Sequence, residues 1–144
     1  MAVGFQVTFD AGDTVALSAF WAEALGYVAE PPPRGYDSWE AFAAEMGLPA
    51  EDWDKLRAIV DPDGHGPRLL FQRVPEAKSA KNRVHLDVNV GGSRATPEPE
   101  RRAAVADAVA RLTELGATVG AVHDEMGAHW VVMQDPEGNE FCLQ

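Results

Sequence analysis

Two segments far apart in this chain carry one pattern: Asp61-Pro62-Asp63-Gly64 leads into Leu69-Leu70-Phe71, and Asp135-Pro136-Glu137-Gly138 leads into Phe141-Cys142-Leu143. Aspartate first, proline second and glycine fourth match the preferences of a type I turn, because proline pre-sets the backbone angle required at its position. A turn that feeds an apolar run reads as the last hairpin of a unit, so its recurrence predicts one fold unit used twice. Paired units of this kind usually form a groove between them, which is where a functional site is expected.

The signals upstream of each turn repeat in the same order. Phe5, Val7 and Phe9 alternate with Gln6, Thr8 and Asp10, the period-2 pattern of a strand with one buried and one polar face. Asp13 then stands where a helix N-cap belongs, Val15, Leu17, Phe20 and Ala24 supply an apolar stripe, and Gly26 a left-handed stop. In the second half Val84, Leu86, Val88 and Val90 alternate with Arg83, His85, Asp87 and Asn89. Thr96 before Pro97 predicts the cap of the next helix, with Glu98 and Glu100 at the positive end of its dipole. Val105, Val109 and Leu112 form its stripe, and Leu115-Gly116 closes it. Further strands are expected over roughly 56–60, 68–74, 118–123, 130–134 and 140–144. Each unit reads strand, helix, strand, strand, strand.

Aligning the units makes Gln6 equivalent to His85, Thr8 to Asp87, Asp10 to Asn89 and Leu70 to Cys142. The first unit is longer: 34 residues separate Gly26 from Asp61, against 18 between Gly116 and Asp135. The surplus falls at about 31–55, where Trp39, Phe42 and Met46 are spaced as one helical face and Pro49 breaks the helix. Such an insertion either packs on the sheet edge as added core or covers the groove as a lid.

With 144 residues, 46% of them apolar, the chain is long enough for one compact core and too short for two ordinary domains. It is expected to form a single domain of residues 1–144, made of module 1 (about 1–76) and module 2 (about 82–144). Its 23 acidic residues outweigh 12 basic ones, giving a net charge of -11, and no Lys/Arg cluster forms a phosphate-binding stripe. Nucleic acid and anionic membranes are therefore poor partners. Met1 to Phe9 lack the basic start and apolar run of a secretory signal, no stretch approaches the roughly 20 apolar residues that span a bilayer, and Cys142 is the sole cysteine. A soluble, cytoplasmic protein is the expectation.

In this arrangement the chain resembles the vicinal oxygen chelate superfamily, the glyoxalase, bleomycin-resistance and extradiol-dioxygenase group, and within it the glyoxalase-like domains. The resemblance rests on Asp13 with Phe20-Trp21 and Leu25-Gly26, on Asn82-Arg83-Val84-His85-Leu86-Asp87-Val88, on Leu115-Gly116-Ala117, and on the run from Trp130 to Cys142. It implies an α+β fold of two βαβββ modules forming a U-shaped, partly open β-sheet barrel with helices outside. It also implies divalent-metal ligands from the first and last strand of each module, which fall at Gln6, Leu70, His85 and Cys142. The last-strand positions in such enzymes are glutamates. Leu70 has no lone pair, and hard divalent ions prefer carboxylate oxygens, so the usual metal site is not favoured. If a divalent metal is bound, the remaining donors are Gln6, His85 and Cys142.

His85 lies on the polar face with Asp87 and Asn89, where it can serve as a general base or hydrogen-bond donor oriented by the neighbouring carboxylate, or simply as a satisfied interior histidine. Gln6, Thr8, Leu70, His85, Asp87, Trp130 and Cys142 are the candidate ligand-binding residues, with His85 the candidate catalytic one. Trp130 and Met133 point to opposite faces, one toward the groove and one toward the core, while Trp21 is best placed in the core. His123 and His129, with Asp124 and Glu125, match no compact ligand motif, and Cys142 between Phe141 and Leu143 is packed more readily than activated. Two functions compete: a binding protein holding a small organic molecule without the usual metal, and a metal-dependent lyase, isomerase or dioxygenase acting on a small carbonyl or aromatic compound. A homodimer is expected in either case, because half-open sheets leave edges for a second copy to cover.

Overall fold

The repeated turn is built twice by the same chemistry. In the computed structural model, which describes residues 1–144, the Asp61 carboxylate accepts from the N–H groups of Asp63 (2.9 Å), His65 (3.0 Å) and Gly66 (2.8 Å). Asp135 is buried, at 2% exposure, and accepts from the N–H groups of Glu137 (2.9 Å) and Asn139 (3.0 Å) and from the Asn139 amide. In both turns the glycine N–H donates back to the aspartate carbonyl, Gly64 at 3.0 Å and Gly138 at 2.9 Å. Both glycines have positive φ, 72° and 88°, which a side chain would strain.

The elements in chain order are β1 (Val7–Ala11), α1 (Thr14–Leu25), β2 (Val28–Ala29), α2 (Trp39–Glu45), a 3₁₀ turn (Ala50–Asp52), β3 (Leu56–Val60), β4 (Leu69–Arg73), β5 (Asp87–Val88), α3 (Glu98–Glu114), β6 (Thr118–Glu125), β7 (Ala128–Gln134) and β8 (Glu140–Leu143). They make a mixed α+β fold of two open four-stranded sheets, ordered β1-β4-β3-β2 and β5-β8-β7-β6. Residues Met1–Ala77 and Lys78–Gln144 form two compact units, each holding one sheet. In both, the first strand pairs parallel with the last, and the remaining pairs are antiparallel. The register preserves the equivalences drawn from sequence: Thr8 pairs with Leu70 as Asp87 pairs with Cys142.

In the first unit Asp13 caps α1, its carboxylate accepting from Ala16 N–H at 2.9 Å, and Gly26 (φ 69°) ends the helix. The helix buries Leu17, Phe20, Trp21 and Ala24. Phe9 stacks on Phe71 and tilts against Trp21, with ring centroids 5.1 Å apart in both pairs. Full burial of each such side chain is worth about 1.5–3 kcal/mol. Val15, assigned from sequence to the stripe, instead lies 46% exposed, because at about 100° per residue it points away from the face that carries Leu17, Phe20, Trp21 and Ala24. In the second unit α3 packs on β6, β7 and β8, burying Val105, Ala108 and Leu112 along with Val131, Met133, Phe141 and Leu143. Ala108 takes the place on the stripe expected for Val109, which is half-buried.

Other local differences from the sequence reading also have physical causes. β2 is two residues long, too short for any periodicity to register. The strand expected over 83–90 shrinks to Asp87–Val88, because the ladder with β8 extends only from Leu86, whose carbonyl accepts from Cys142 N–H, to Val88. Val84, before that ladder, is 81% exposed, and so, ahead of β1, is Phe5 at 74%. Thr96 is not the cap of α3: its N–H turns back to the Ser93 carbonyl, and Pro97 occupies the N-cap without a side-chain hydrogen bond. In the insertion, Ser38 caps α2, the Trp39 indole donates to the Glu30 carbonyl (2.7 Å), and Phe42 meets Tyr36 and Trp39 edge to face. Met46 is 54% exposed at the end of α2.

Candidate functional site

Strand alternation sorts the second sheet into two faces. Val88, Val131, Met133, Phe141 and Leu143 are buried on the α3 side, which places Asp87, Trp130, Val132, Glu140 and Cys142 on the other. The parallel register sets Asp87 beside Cys142, and His85, two residues before Asp87, comes to the same place. His85 Nε2 lies 3.3 Å from Asp87 Oδ1, and the nitrogen, carboxylate and sulfur donors of His85, Asp87 and Cys142 all fall within 4.8 Å of one another. The His85 and Asp87 side chains are 44% and 50% exposed, whereas Cys142 is buried.

That asymmetry governs the chemistry. Burial pushes the Cys142 thiol up, the Asp87 charge and a thiol–carboxylate hydrogen bond push it further, and Lys81 pulls the other way. Held as a thiol, Cys142 is a hydrogen-bond donor to Asp87 and not a free nucleophile. Asp87 thus receives Cys142 from the floor and faces Nε2 of His85. With Nε2–H directed at the carboxylate, Nδ1 is the ring nitrogen left to accept a proton or hydrogen bond from a ligand.

Glu140 fixes the segment that leads into β5. Its carboxylate accepts from Asn82 N–H (3.0 Å) and pairs with Lys78 Nζ (3.1 Å), while Lys78 also donates to the Ala80 carbonyl. The Asn82 N–H, helped by Lys78, holds the Glu140 carboxyl at about 2. Glu140 is therefore a structural anchor for the strap 78–82, from which His85 follows. Further along the same face, Trp130 stacks on His123, with centroids 4.9 Å apart and planes 14° from parallel. Met133 is fully buried on the core side.

The first sheet carries the equivalent positions with different contents. Gln6 Oε1 accepts from Arg68 Nη1 (3.0 Å), and Arg68 forks onto Glu30 through Nε (2.8 Å) and Nη2 (2.7 Å), which raises its pKa. Thr8 and Leu70 sit side by side and provide a hydroxyl and a methyl surface. The donors that the structure groups are thus His85, Asp87 and Cys142. Asp87, read from sequence as the group that orients the imidazole, is also the third donor, a role that follows only from its register with Cys142. His123 and His129 do not form a pair, because Trp130, the partner of His123, and His129 are successive residues on opposite faces of β7. Nδ1 of His129 instead lies 2.9 Å from Asp124 Oδ1 and 3.1 Å from Arg102 Nη1, and Arg102 in turn pairs with Asp124.

The resemblance drawn from the sequence implies a divalent metal, and the donor set decides which kind fits. One imidazole, one carboxylate and one thiol are the three protein ligands of an open, zinc-type site, for which donor separations of about 3.3–3.8 Å follow from metal–ligand distances of about 2.0–2.3 Å. The observed 4.8 Å limit leaves about 1 Å to close, within reach of the two exposed side chains. A hard ion such as Mn(II), which favours oxygen ligands, finds a single carboxylate here. The residues fit a thiophilic ion and do not fit an all-oxygen one.

Two βαβββ modules of identical strand order, with donors on the first and last strands of one of them, define a duplicated-module class of small α+β proteins. The description of the glyoxalase-like domain matches residues 6–144, and the chain belongs to that family. Solved structures agree in fold. The chain is similar to a glyoxalase/bleomycin resistance protein/dioxygenase family enzyme from Burkholderia phytofirmans (19% identity, 96% of this chain and 94% of that one, TM-score 0.59). It is similar also to a possible glyoxalase from Bacillus cereus (17%, 99% and 99%, TM-score 0.59). A third is a mutant of the fosfomycin resistance protein FosX from Listeria monocytogenes, complexed with Mn(II) and 1S,2S-dihydroxypropylphosphonic acid (12%, 100% and 90%, TM-score 0.63). No curated protein sequence matches the chain. No helix is long and apolar enough to cross a membrane.

Proposed function

We propose that this glyoxalase-like protein binds a small organic molecule on the polar face of its second sheet, with His85, Asp87 and Cys142 addressing the polar end of the ligand. One observation carries the reading: an imidazole, a carboxylate and a thiol converge within 4.8 Å, two of them open to solvent. Trp130 and Val132 continue the same face and offer apolar surface for the body of the ligand. A carbonyl or hydroxyl oxygen suits this end best, because Nδ1 of His85 can exchange hydrogen bonds with either. Gln6, Thr8 and Leu70 are read as a second, weaker set of contacts. The protein is read as a homodimer in solution, a state that light scattering on the eluting species tests directly.

A second reading has its own support in the same trio: a zinc-dependent lyase or isomerase. Its metal-bound relative, the FosX mutant, is complexed with Mn(II), whereas the sulfur donor here favours zinc. A bound zinc ion would supply Lewis-acid polarisation of a ligand oxygen. His85, oriented by Asp87, would hold the ligand or move a proton. A thermal-shift screen of metals and carbonyl metabolites, singly and in pairs, separates the two readings. Metabolites that raise Tm without metal and lose the effect in His85→Ala support simple binding. Stabilisation that requires zinc, with product formed from the same metabolite, supports the enzyme. A set of metabolites bound equally by His85→Ala and Asp87→Asn chains overturns both.

A further inference from the structure

A separate feature of the second unit uses none of His85, Asp87 and Cys142. A cavity of about 240 Å³ opens where the 89–94 loop and the β6–β7 hairpin meet the first turns of α3, and its walls include Arg94, Arg101, Arg102, Glu98 and His129. Three arginines at one cavity is a concentration of positive charge in a chain whose net charge is -11. Arg102 is neutralised within the protein: it donates to Glu98 (2.9 Å) and to Asp124 (2.5 Å). Arg101 and Arg94 have no ion-pair partner, and Arg101 Nε is buried with no hydrogen-bond partner at all.

The guanidinium charges of Arg101 and Arg94 are offset by no carboxylate of the protein, so an anion in the cavity can pair with them. The backbone adds to the same charge. α3 is 17 residues long and begins without a side-chain cap, so the positive end of its dipole is uncompensated at the cavity apart from Glu98 and Glu100. Gly91 lies so close to the helix that a Cβ there would meet Arg101 Cβ at 3.2 Å, which lets the loop rest directly on the first turn and close the cavity floor. The volume falls below the roughly 300–1,000 Å³ of drug-sized pockets and suits a small ion with a few carbons.

We propose that this cavity binds a phosphate-sized oxyanion, free or as the head group of a small phosphorylated metabolite, between Arg101 and Arg94. Guanidinium groups favour phosphate because their forked donors match its oxygens.

The test is an amide-resolved NMR titration of the full chain with inorganic phosphate, with sodium chloride of equal ionic strength as the control. Saturable shifts at residues 91–94 and 98–102, absent with chloride, are expected. Arg94→Gln and Arg101→Gln should each weaken phosphate binding by about tenfold or more, as loss of a charged hydrogen bond requires. If Arg101→Gln does not fold, Arg94→Gln at the exposed position carries the test. Titration with sn-glycerol 3-phosphate separates the two sources: tighter binding than phosphate assigns a head group, and equal or weaker binding assigns the free ion. Shifts no larger than those of chloride, or phosphate shifts that persist in both variants, overturn the proposal.

Discussion

The two modules are the same construction with different side chains at equivalent positions. Gln72 of the first donates to Asp10 at 2.8 Å, and Gln144 of the second, at the equivalent position, donates to Asn89 at 2.8 Å. Two residues before the last-strand donor position the first module has Arg68, forked on Glu30, and the second has Glu140, paired with Lys78. Each is a charged anchor beside the last strand, with the sign reversed. At the centre, Gln6, Thr8 and Leu70 stand where His85, Asp87 and Cys142 stand. Backbone hydrogen bonds and core packing tolerate this exchange, since neither depends on side chains that face away from the helices. The comparison teaches that the fold fixes positions, and that chemistry is a separate choice made at three of them.

The largest effects should come from positions the modules share. Phe71 and Leu143 are equivalent, and both are fully buried. Phe71→Ala should cost about 3–5 kcal/mol and Leu143→Ala about 2–5 kcal/mol in urea denaturation. A loss under 1 kcal/mol at either would break the equivalence of the two cores.

The central positions should differ most sharply in metal binding. On the zinc reading, added zinc binds once per chain. Asp87→Asn and Cys142→Ser should weaken it at least about tenfold, since each removes a direct ligand, whereas Thr8→Ala leaves affinity unchanged. A cobalt(II)–thiolate absorption band, lost in Cys142→Ser, reports the sulfur ligand. Because the thiol is pushed up, binding must displace its proton, and affinity should fall as pH falls. Full affinity in Cys142→Ser would remove the second module's distinction.

The anchors predict a smaller, pH-dependent difference. The Glu140 carboxyl is lowered from 4.5 to about 2, so its contribution is present above pH 4.5 and is lost as pH falls through that window. Glu140→Gln should flatten the acid limb of Tm against pH between 4.5 and 2, and an unchanged limb would show that Lys78 and Asn82 do not hold the anion. The smallest effect is expected at the paired glutamines. Gln72→Ala at a half-buried position and Gln144→Ala at an exposed one should each change stability by about 1 kcal/mol or less, and by similar amounts in thermal melts.

The duplication was readable because its markers are local: the two Asp-Pro-x-Gly turns, Asp13, Gly26 and Gly116 act within a few residues of themselves. The positions of His85, Asp87 and Cys142 on one face were also readable, from period-2 alternation and the alignment of the units. That His85 and Cys142 meet followed only from the family resemblance, and the place of Asp87 beside Cys142 was not readable, because the register of a parallel pair joins residues 55 apart. The anchor role of Glu140 depends on where Lys78 and Asn82 fall in space, and the His123–Trp130 stack on the β6–β7 register. The arginine cavity was invisible for a related reason: Arg94, Arg101 and Arg102 form no compact basic run, and it is a loop over a helix end that gathers them.

The parallel seam between β5 and β8 has a kinetic consequence. Hairpins such as β6–β7 and β7–β8 close over a few residues, whereas joining Asp87 to Cys142 closes a chain loop of 55 positions, at a conformational entropy cost the hairpins avoid. The two-residue β5 is therefore the segment expected to dock last and to peel away first. Since His85 and Asp87 ride on that segment and Cys142 does not, a brief local detachment dissolves the trio while the hairpins stay intact, and amide exchange at residues 86–88 would time the opening.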